Sequence, residues 1–373
     1  RDRASDGFGL GAHGYAGDLP GTTRLSGFQH CNLTTINGQA ATTEPACFTH
    51  QSGAAFVMTA PRGFDSRPCN HTTTMHKTFV LYHSNCPDGF GAAWAAWMHF
   101  QEFSPGADVS YLPVNYDQPL PDIPDGSEVF ILDFSYPRDV LTELAERCNI
   151  CVIDHHGTAK DALAGLPYAF FDMSKSGAVL AWEHFFPTRN VPEMLLYLQD
   201  RDLWQWTLPR SKEINAGLWR GKPREFSVWR SIEATWFDAI GSKAALIQAG
   251  EAIAFSDALN VETLCRHPVL MKILCYTVPV VNTPVLQSEV CHQLLQLHPT
   301  APFAATWMTR SDGQLIFSVR ARKDDFDVAT LAKEFGGGGH KAAAGFQRAQ
   351  LFDIIEKRRG PLIMGRWPRE TRT

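Results

Sequence analysis

The sequence predicts an α/β protein, in which a parallel sheet covered by helices is followed by a smaller mixed α/β domain. Three observations carry this. From Lys77 onward, short apolar runs recur with helical stretches between them. Those runs are apolar on both faces, as strands buried between two helical layers must be. After a largely helical stretch, strands return near residue 270, and two of them flank a tight-turn signal.

The elements follow in order. "KTFVLYH" (77–83) runs into a Gly-bearing turn and the helical "GAAWAAWMHF" (91–100). "VSYLPVN" (109–115) and "EVFILDF" (128–134) are the second and third strands. "PRDVLTELAERC" (137–148) has helical spacing and leads to "NICVIDHH" (149–156). "YAFFDM" (168–173) precedes the helical "SKSGAVLAWEHFF" (174–186), for which Ser174 is the expected N-cap. Residues 191–260 read as helices. "ILCYTVPVVNTP" (273–284) then leads to a helix over 286–298. "FAATWMTR" (303–310) and "QLIFSVRAR" (314–322) flank "SDG", a hairpin signal. A last helix, "DVATLAKEF", precedes "GGGGHKAAAGF" (336–346).

The expected boundaries are a low-complexity extension over 1–76, a first domain over 77–205, a helical connector over 206–270, a second domain over 271–348 and a tail over 349–373. The extension is rich in Gly and Thr and has neither helical nor strand period, so it cannot build a core alone. The role expected of it is contact with a protein partner; a homodimer is the other association considered.

The chain has 373 residues, 44% hydrophobic and 20% charged, which suffices for two buried cores. A net charge of −5 excludes bulk attraction to nucleic acid, so any phosphate binding has to be local. Nine cysteines at irregular spacing read as reduced thiols in an intracellular compartment. Cys148 and Cys151 lack the second pair that a structural zinc site needs. No apolar run approaches the roughly eighteen residues of a membrane span. A start at Arg1 and a long extension lead to the expectation of a removed targeting segment, mitochondrial foremost and cytoplasmic otherwise.

Chemistry concentrates where the parallel strands end. His83 to Gly89, "HSNCPDG", follows the first strand, and Asp133 follows the third. Asp154, His155 and His156 follow the fourth, and Asp200 lies in "LQDRD" after a helix. Taken singly, each has an ordinary reading: a turn aspartate, a satisfied histidine, a solvated helix end. Open parallel sheets, however, bind ligands beyond the carboxyl ends of their strands, so these residues converge on one edge. Carboxylates mixed with imidazoles suit first-row divalent ions or Mg²⁺. Two such ions roughly 3.5–4 Å apart would hold a phosphoryl group and activate water.

"CPDG", Asp133, "VIDHH", Asp200 and "GGGGH", in this order over about residues 77–346, resemble the DHH phosphoesterase family, and residues 273–346 resemble its DHH-associated C-terminal domain. The resemblance implies a Rossmann-like domain and hydrolysis of phosphoester bonds with two divalent ions, Mn²⁺ foremost, with Mg²⁺, Zn²⁺ or Fe²⁺ also considered. The family includes enzymes acting on short oligonucleotides, single strands and dinucleotides. Carried onto this chain, it makes Asp133 the bridge between ions. His155, Asp200 and Asp88 would hold one ion, and His83 would help hold the other. Asp154 would support the histidines and act with Asp133 and His156 in catalysis, with His156 on the substrate phosphate. The family's first motif offers Asp-x-Asp, whereas here Cys86 stands at the earlier position. A cysteine there is either a ligand favouring softer ions or a bystander, and both readings stay open.

In the second domain, Gly338, Gly339, His340 and Arg320 are the residues implied to hold the substrate's far phosphate, with glycines permitting close backbone approach. Without the upstream motifs, the glycines read as a flexible loop before a helix, and Arg322 as a surface ion-pair residue. Trp204 and Trp206 are expected in helical core packing, with base stacking as the other reading. Two functions are therefore carried forward. One is a metal-dependent phosphoesterase of short oligonucleotides or dinucleotides. The other is a DHH-type protein recruited as an accessory subunit of a large assembly.

Overall fold

The computed structural model describes residues 77–116, 118–322 and 325–349. The extension over 1–76 and most of the expected tail lie outside the described residues. The first sheet has five strands: β1 (Thr78–His83), β2 (Val109–Val114), β3 (Glu128–Leu132), β4 (Asn149–Asp154) and β5 (Ala169–Phe171). Five helices interleave with or follow them: α1 (Pro87–Phe103), α2 (Arg138–Arg147), α3 (Gly157–Ala162), α4 (Gly177–Phe185) and α5 (Glu193–Asp202). All pairings are parallel, in the order β2-β1-β3-β4-β5. The order reverses between β1 and β3, so a crevice opens at their carboxyl ends.

Strict alternation along β3 explains the two cores. Phe130 and Leu132 join one cluster with α1, α4 and α5, while Val129 and Ile131 join another with Leu141 and Leu144 of α2. A strand apolar on both faces can lie only between two layers. The first core continues into α6 (Ser211–Gly221), α7 (Phe226–Ala234) and α8 (Ser242–Cys265), where Ile214, Leu218, Trp229 and Leu246 are buried.

The second sheet holds β6 (Val269–Ile273), β7 (Tyr276–Asn282), β8 (Phe303–Thr309), β9 (Leu315–Ala321), β10 (Gly338–His340) and β11 (Ala343–Arg348), with α9 (Gln287–Leu297) and α10 (Val328–Lys333). Its order is β10-β11-β9-β8-β7-β6, and it is antiparallel except for β7–β8. Gly313, at φ +85°, makes the β8–β9 turn expected from "SDG". Val280, Ala305 and Phe317 pack towards α10, while Val281 and Ala304 pack with Leu294 of α9 on the other side. This is the α/β architecture expected, a parallel sheet followed by a mixed one. Among the described residues, no helix is long and apolar enough to cross a membrane.

Four local expectations are corrected. The helix expected from Ser174 begins at Gly177, and Ser174 instead turns on Asp172, whose carboxylate accepts from its N–H and hydroxyl. The "GGGGH" stretch is not a loop before a helix; its last three residues form β10, antiparallel to β11. Trp204 and Trp206 are half-buried residues at φ +54° and +53° beyond α5, not helical core. Among the described residues Arg322 makes no surface ion pair; its guanidinium donates to the carbonyls of Leu295, His298 and Ala301, binding the C-terminal end of α9.

Candidate active site

Asp133 occupies the centre of the crevice. It follows β3 in a left-handed conformation, φ +54°, which costs a non-glycine residue energy and persists only where its surroundings enforce it. Its N–H is held by the Ile153 carbonyl at 2.9 Å. Gly177 lies so close that a Cβ there would come within 2.5 Å of the Asp133 Cβ. The carboxylate therefore has one place to go. Its Oδ1 is 3.1 Å from His155 Nε2 and its Oδ2 is 3.5 Å from His83 Nδ1. Asp133 is 1% exposed, and neither oxygen has a well-formed hydrogen bond.

Two groups of potential ligands flank it. His83, Cys86 and Asp133 offer atoms within 4.8 Å of one another, as do Asp88, His155 and Asp202. His83 ends β1, Cys86 precedes α1, and Pro87 starts that helix, where its missing N–H costs nothing. Asp88 sits in the first turn and turns its carboxylate to the start of α4, accepting from Gly177 N–H at 2.5 Å and Ala178 N–H at 3.1 Å. A carboxylate suits the positive end of a helix.

The charge balance is that of a cation site. Burial, then Asp133 and Asp202, push the Asp88 carboxyl well above its ordinary range. Burial, then the surrounding acids, likewise push the Cys86 thiol up. Burial opposes a charge on His155, but the adjacent Asp133 and the other nearby carboxylates prevail and raise it to about 10. Asp133 is held well below its ordinary range, because the His155 and His83 rings beside it outweigh its burial. Buried acids this close repel unless cations compensate them. With both Asp133 oxygens, His83 Nδ1 and His155 Nδ1 buried without hydrogen-bond partners, the residues present fit divalent ions.

Asp154 supports the histidines. It is fully buried; Oδ2 accepts from Ser135 Oγ at 2.6 Å, and Oδ1 meets the N–H groups of His155 and His156 at 2.7 and 3.2 Å. The same oxygen is 2.7 Å from His156 Nδ1, which fixes that nitrogen as the donor and leaves Nε2 for another partner.

The second sheet closes over these rings. His340 lies on His156, centroids 4.5 Å apart at 22°, and is 4.7 Å from the His155 ring. Burial, then the two imidazoles, push His340 down to about 3, so it stays neutral. The N–H of Gly339 donates to Thr158 Oγ1 at 3.2 Å, joining β10 to α3. Gly339 stands at φ +140°, and a Cβ there would come within 2.5 Å of the Ala343 carbonyl oxygen, so only glycine fits. Gly338 packs beside Thr158 as well. Arg320 sits on β9, where its guanidinium is held by Val319 and Ala344 carbonyls and by Ser288 Oγ of α9 at 2.9 Å.

The structure thus brings His83, Cys86, Asp88, Asp133, Asp154, His155, His156 and His340 together, with Gly338, Gly339 and Arg320 on the second domain's side. It does not bring in Asp200. That carboxylate faces away, accepting from Thr207 N–H at 2.7 Å, Thr207 Oγ1 at 2.8 Å and Leu208 N–H at 3.3 Å. Asp202 takes its place, 3.5 Å from His155 Nε2. Sequence reasoning also passed over Tyr116. Just beyond β2, its ring lies 5.5 Å from that of His83 and 6.2 Å from that of His156. An aromatic at the end of a parallel strand was the available signal.

Residues 274–357 match the DHHA1 domain. The uncharacterised protein R106 of Acanthamoeba polyphaga mimivirus is 28% identical over 284 residues, 71% of this chain and 66% of the viral protein, so the match spans just under two thirds of that relative. Among solved structures, an exopolyphosphatase-related protein from Bacteroides fragilis is similar with a TM-score of 0.44 at 13% identity, covering 75% of this chain and 89% of that one. The pGpG-specific phosphodiesterase PggH from Vibrio cholerae follows at 0.41 and 16%, covering 74% and 94%. Fold and site define an α/β protein with an acid–imidazole centre between two sheets. A DHHA1 domain thus lies downstream of the motifs that converge on this centre.

Proposed function

We propose that the protein is a divalent-metal-dependent phosphodiesterase acting on short oligonucleotides or dinucleotides. The observation that carries this is Asp133, whose two buried oxygens each face a different imidazole, one on β1 and one after β4. A carboxylate so placed could help hold two ions. His83 and Cys86 would hold one beside it; Asp88, His155 and Asp202 would hold the other. When bound, such ions lower the pKa of water and neutralise phosphoryl charge.

The chain's own residues supply the rest. Asp154 orients His156 so that Nε2 can hydrogen-bond a phosphate oxygen. Stacking of His340 on His156 shields that contact from water, which strengthens it. Arg320 would grip a second phosphate, its guanidinium already oriented by three contacts. The two phosphate-facing groups lie on different sheets, an arrangement suited to a short substrate held across the junction. The accessory-subunit reading rests on residues 1–76, which lie outside the described residues.

Hydrolysis of a 5′-labelled dinucleotide and of a long single strand, with Mn²⁺, Mg²⁺ or Zn²⁺ added in turn, tests the proposal. Cleavage that favours the dinucleotide and is lost in Asp133→Ala is expected. A folded protein that cleaves neither with any ion would overturn it.

A further inference from the structure

We propose that Tyr116 is a nucleobase platform, its ring stacking on the base next to the phosphate under attack. The inference rests on the phosphodiesterase reading and deepens it, because it makes the substrate a base-bearing one and not a bare polyphosphate.

Tyr116 differs from everything around it. Asp88, Asp133 and Asp154 are 0–1% exposed, whereas Tyr116 is 56% exposed. Its ring rests against Phe134, centroids 4.6 Å apart at 42°. It meets His83 and His156 edge-on, at 71° and 78°. Three rings thus fix its place, and more than half its surface still faces outward. The core beneath does not need it, since Phe134 is fully buried and fills that space. Among the described residues, no other exposed aromatic side chain packs on a histidine of the centre.

An open aromatic surface beside a ligand imidazole, His83, and the phosphate-facing imidazole of His156 is a surface for a flat, apolar-faced group carried close to a phosphate. A nucleobase has that form, and every base can stack. The same lip carries a cation. Arg224 is exposed, lies 4.0 Å over the Trp219 ring and donates to Asn85 Oδ1 at 3.4 Å, in the loop that leaves His83. In a chain of net charge −5, a guanidinium held at the rim of an acidic centre offers a landing point for a further phosphate of the same strand.

The test compares Tyr116→Ala and Tyr116→Phe with the wild type on two substrates: the dinucleotide pApA and its counterpart with both bases removed. Tyr116→Ala should raise KM for pApA about ten-fold or more, with kcat largely kept, as expected for a stacking contact of roughly 1–3 kcal/mol. KM for the baseless substrate should not move, and Tyr116→Phe should behave as wild type. Equal losses on both substrates would reduce Tyr116 to a prop for His83 and overturn the proposal, as would no change on either. Calorimetric titration in EDTA separates this from the failure of the catalytic reading. If no turnover occurs but the wild type binds pApA more tightly than the baseless compound, and Tyr116→Ala removes the difference, the platform stands alone. Equal binding of the two compounds by the wild type would overturn it.

Discussion

Asp88 caps the first turn of α4 from across the crevice, accepting from the N–H groups of Gly177 and Ala178 while its Oδ2 lies 3.7 Å from His155 Nε2. One carboxylate thus closes a helix end and faces the centre. Asp88→Ala should lower stability by about 1–3 kcal/mol, because it strands two buried donors. It should also cut divalent-ion affinity at least about ten-fold. Thermal melting in EDTA reads the first effect and calorimetric titration with Mn²⁺ reads the second. A variant that melts like the wild type would remove the cap from the account.

Asp200 and Asp202 should separate cleanly. Asp202→Ala is expected to weaken ion binding and hydrolysis with little effect on melting. Asp200→Ala should leave hydrolysis within a few-fold of the wild type and cost about 1–3 kcal/mol, as the donors of Thr207 and Leu208 lose their acceptor. Parallel melting curves and initial rates decide between them, and the reverse pattern would restore Asp200 to the centre.

Cys86 shares a ligand group with His83 and Asp133. If its sulfur ligates, Cys86→Asp should shift preference from Zn²⁺ towards Mn²⁺ and Mg²⁺, since a hard oxygen replaces a soft donor. Rates measured across the four ions show this directly, and an unchanged profile would make Cys86 a bystander.

Glu193 supplies a pH dependence away from the centre. Burial opposes its charge, but bonds from Lys243 Nζ and Trp236 Nε1, both 2.7 Å, prevail and hold its carboxyl below the ordinary value of 4.5. A group whose folded pKa is depressed stabilises fully above its unfolded pKa and loses that contribution as pH falls through the folded value. Melting temperature should therefore drop on acidification below about pH 4.5, and Glu193→Gln should flatten that drop. Identical acid slopes for variant and wild type would refute the assignment.

The apolar run over residues 128–132 was enough to read a strand between two layers, and parallel order then carried His83, Asp133 and His155 to one edge. Asp200 shows where such reading stops. Two residues along a helix are about 200° apart, so "LQDRD" offers acids on nearly opposite faces, and only packing decides which one looks into the crevice. The Asp88 cap joins residues 89 and 90 positions apart, and no local pattern announces such a bond. Ser174 illustrates the opposite limit: a good capping residue two positions before the observed N-cap, Ser176, turns on Asp172 instead, while Asp88 accepts from the helix start. Tyr116 carries no motif, and its meaning comes from the three rings it touches.

The bond from Gly339 to Thr158 and the stack of His340 on His156 are both made across the line between the two sheets. A guest too large for the space they enclose must break them, at a cost of about 1 kcal/mol for the hydrogen bond alone. On the proposed reading, the junction would act as a gauge: a longer guest would have to part these contacts, so its size would be weighed by the work of separating the two sheets.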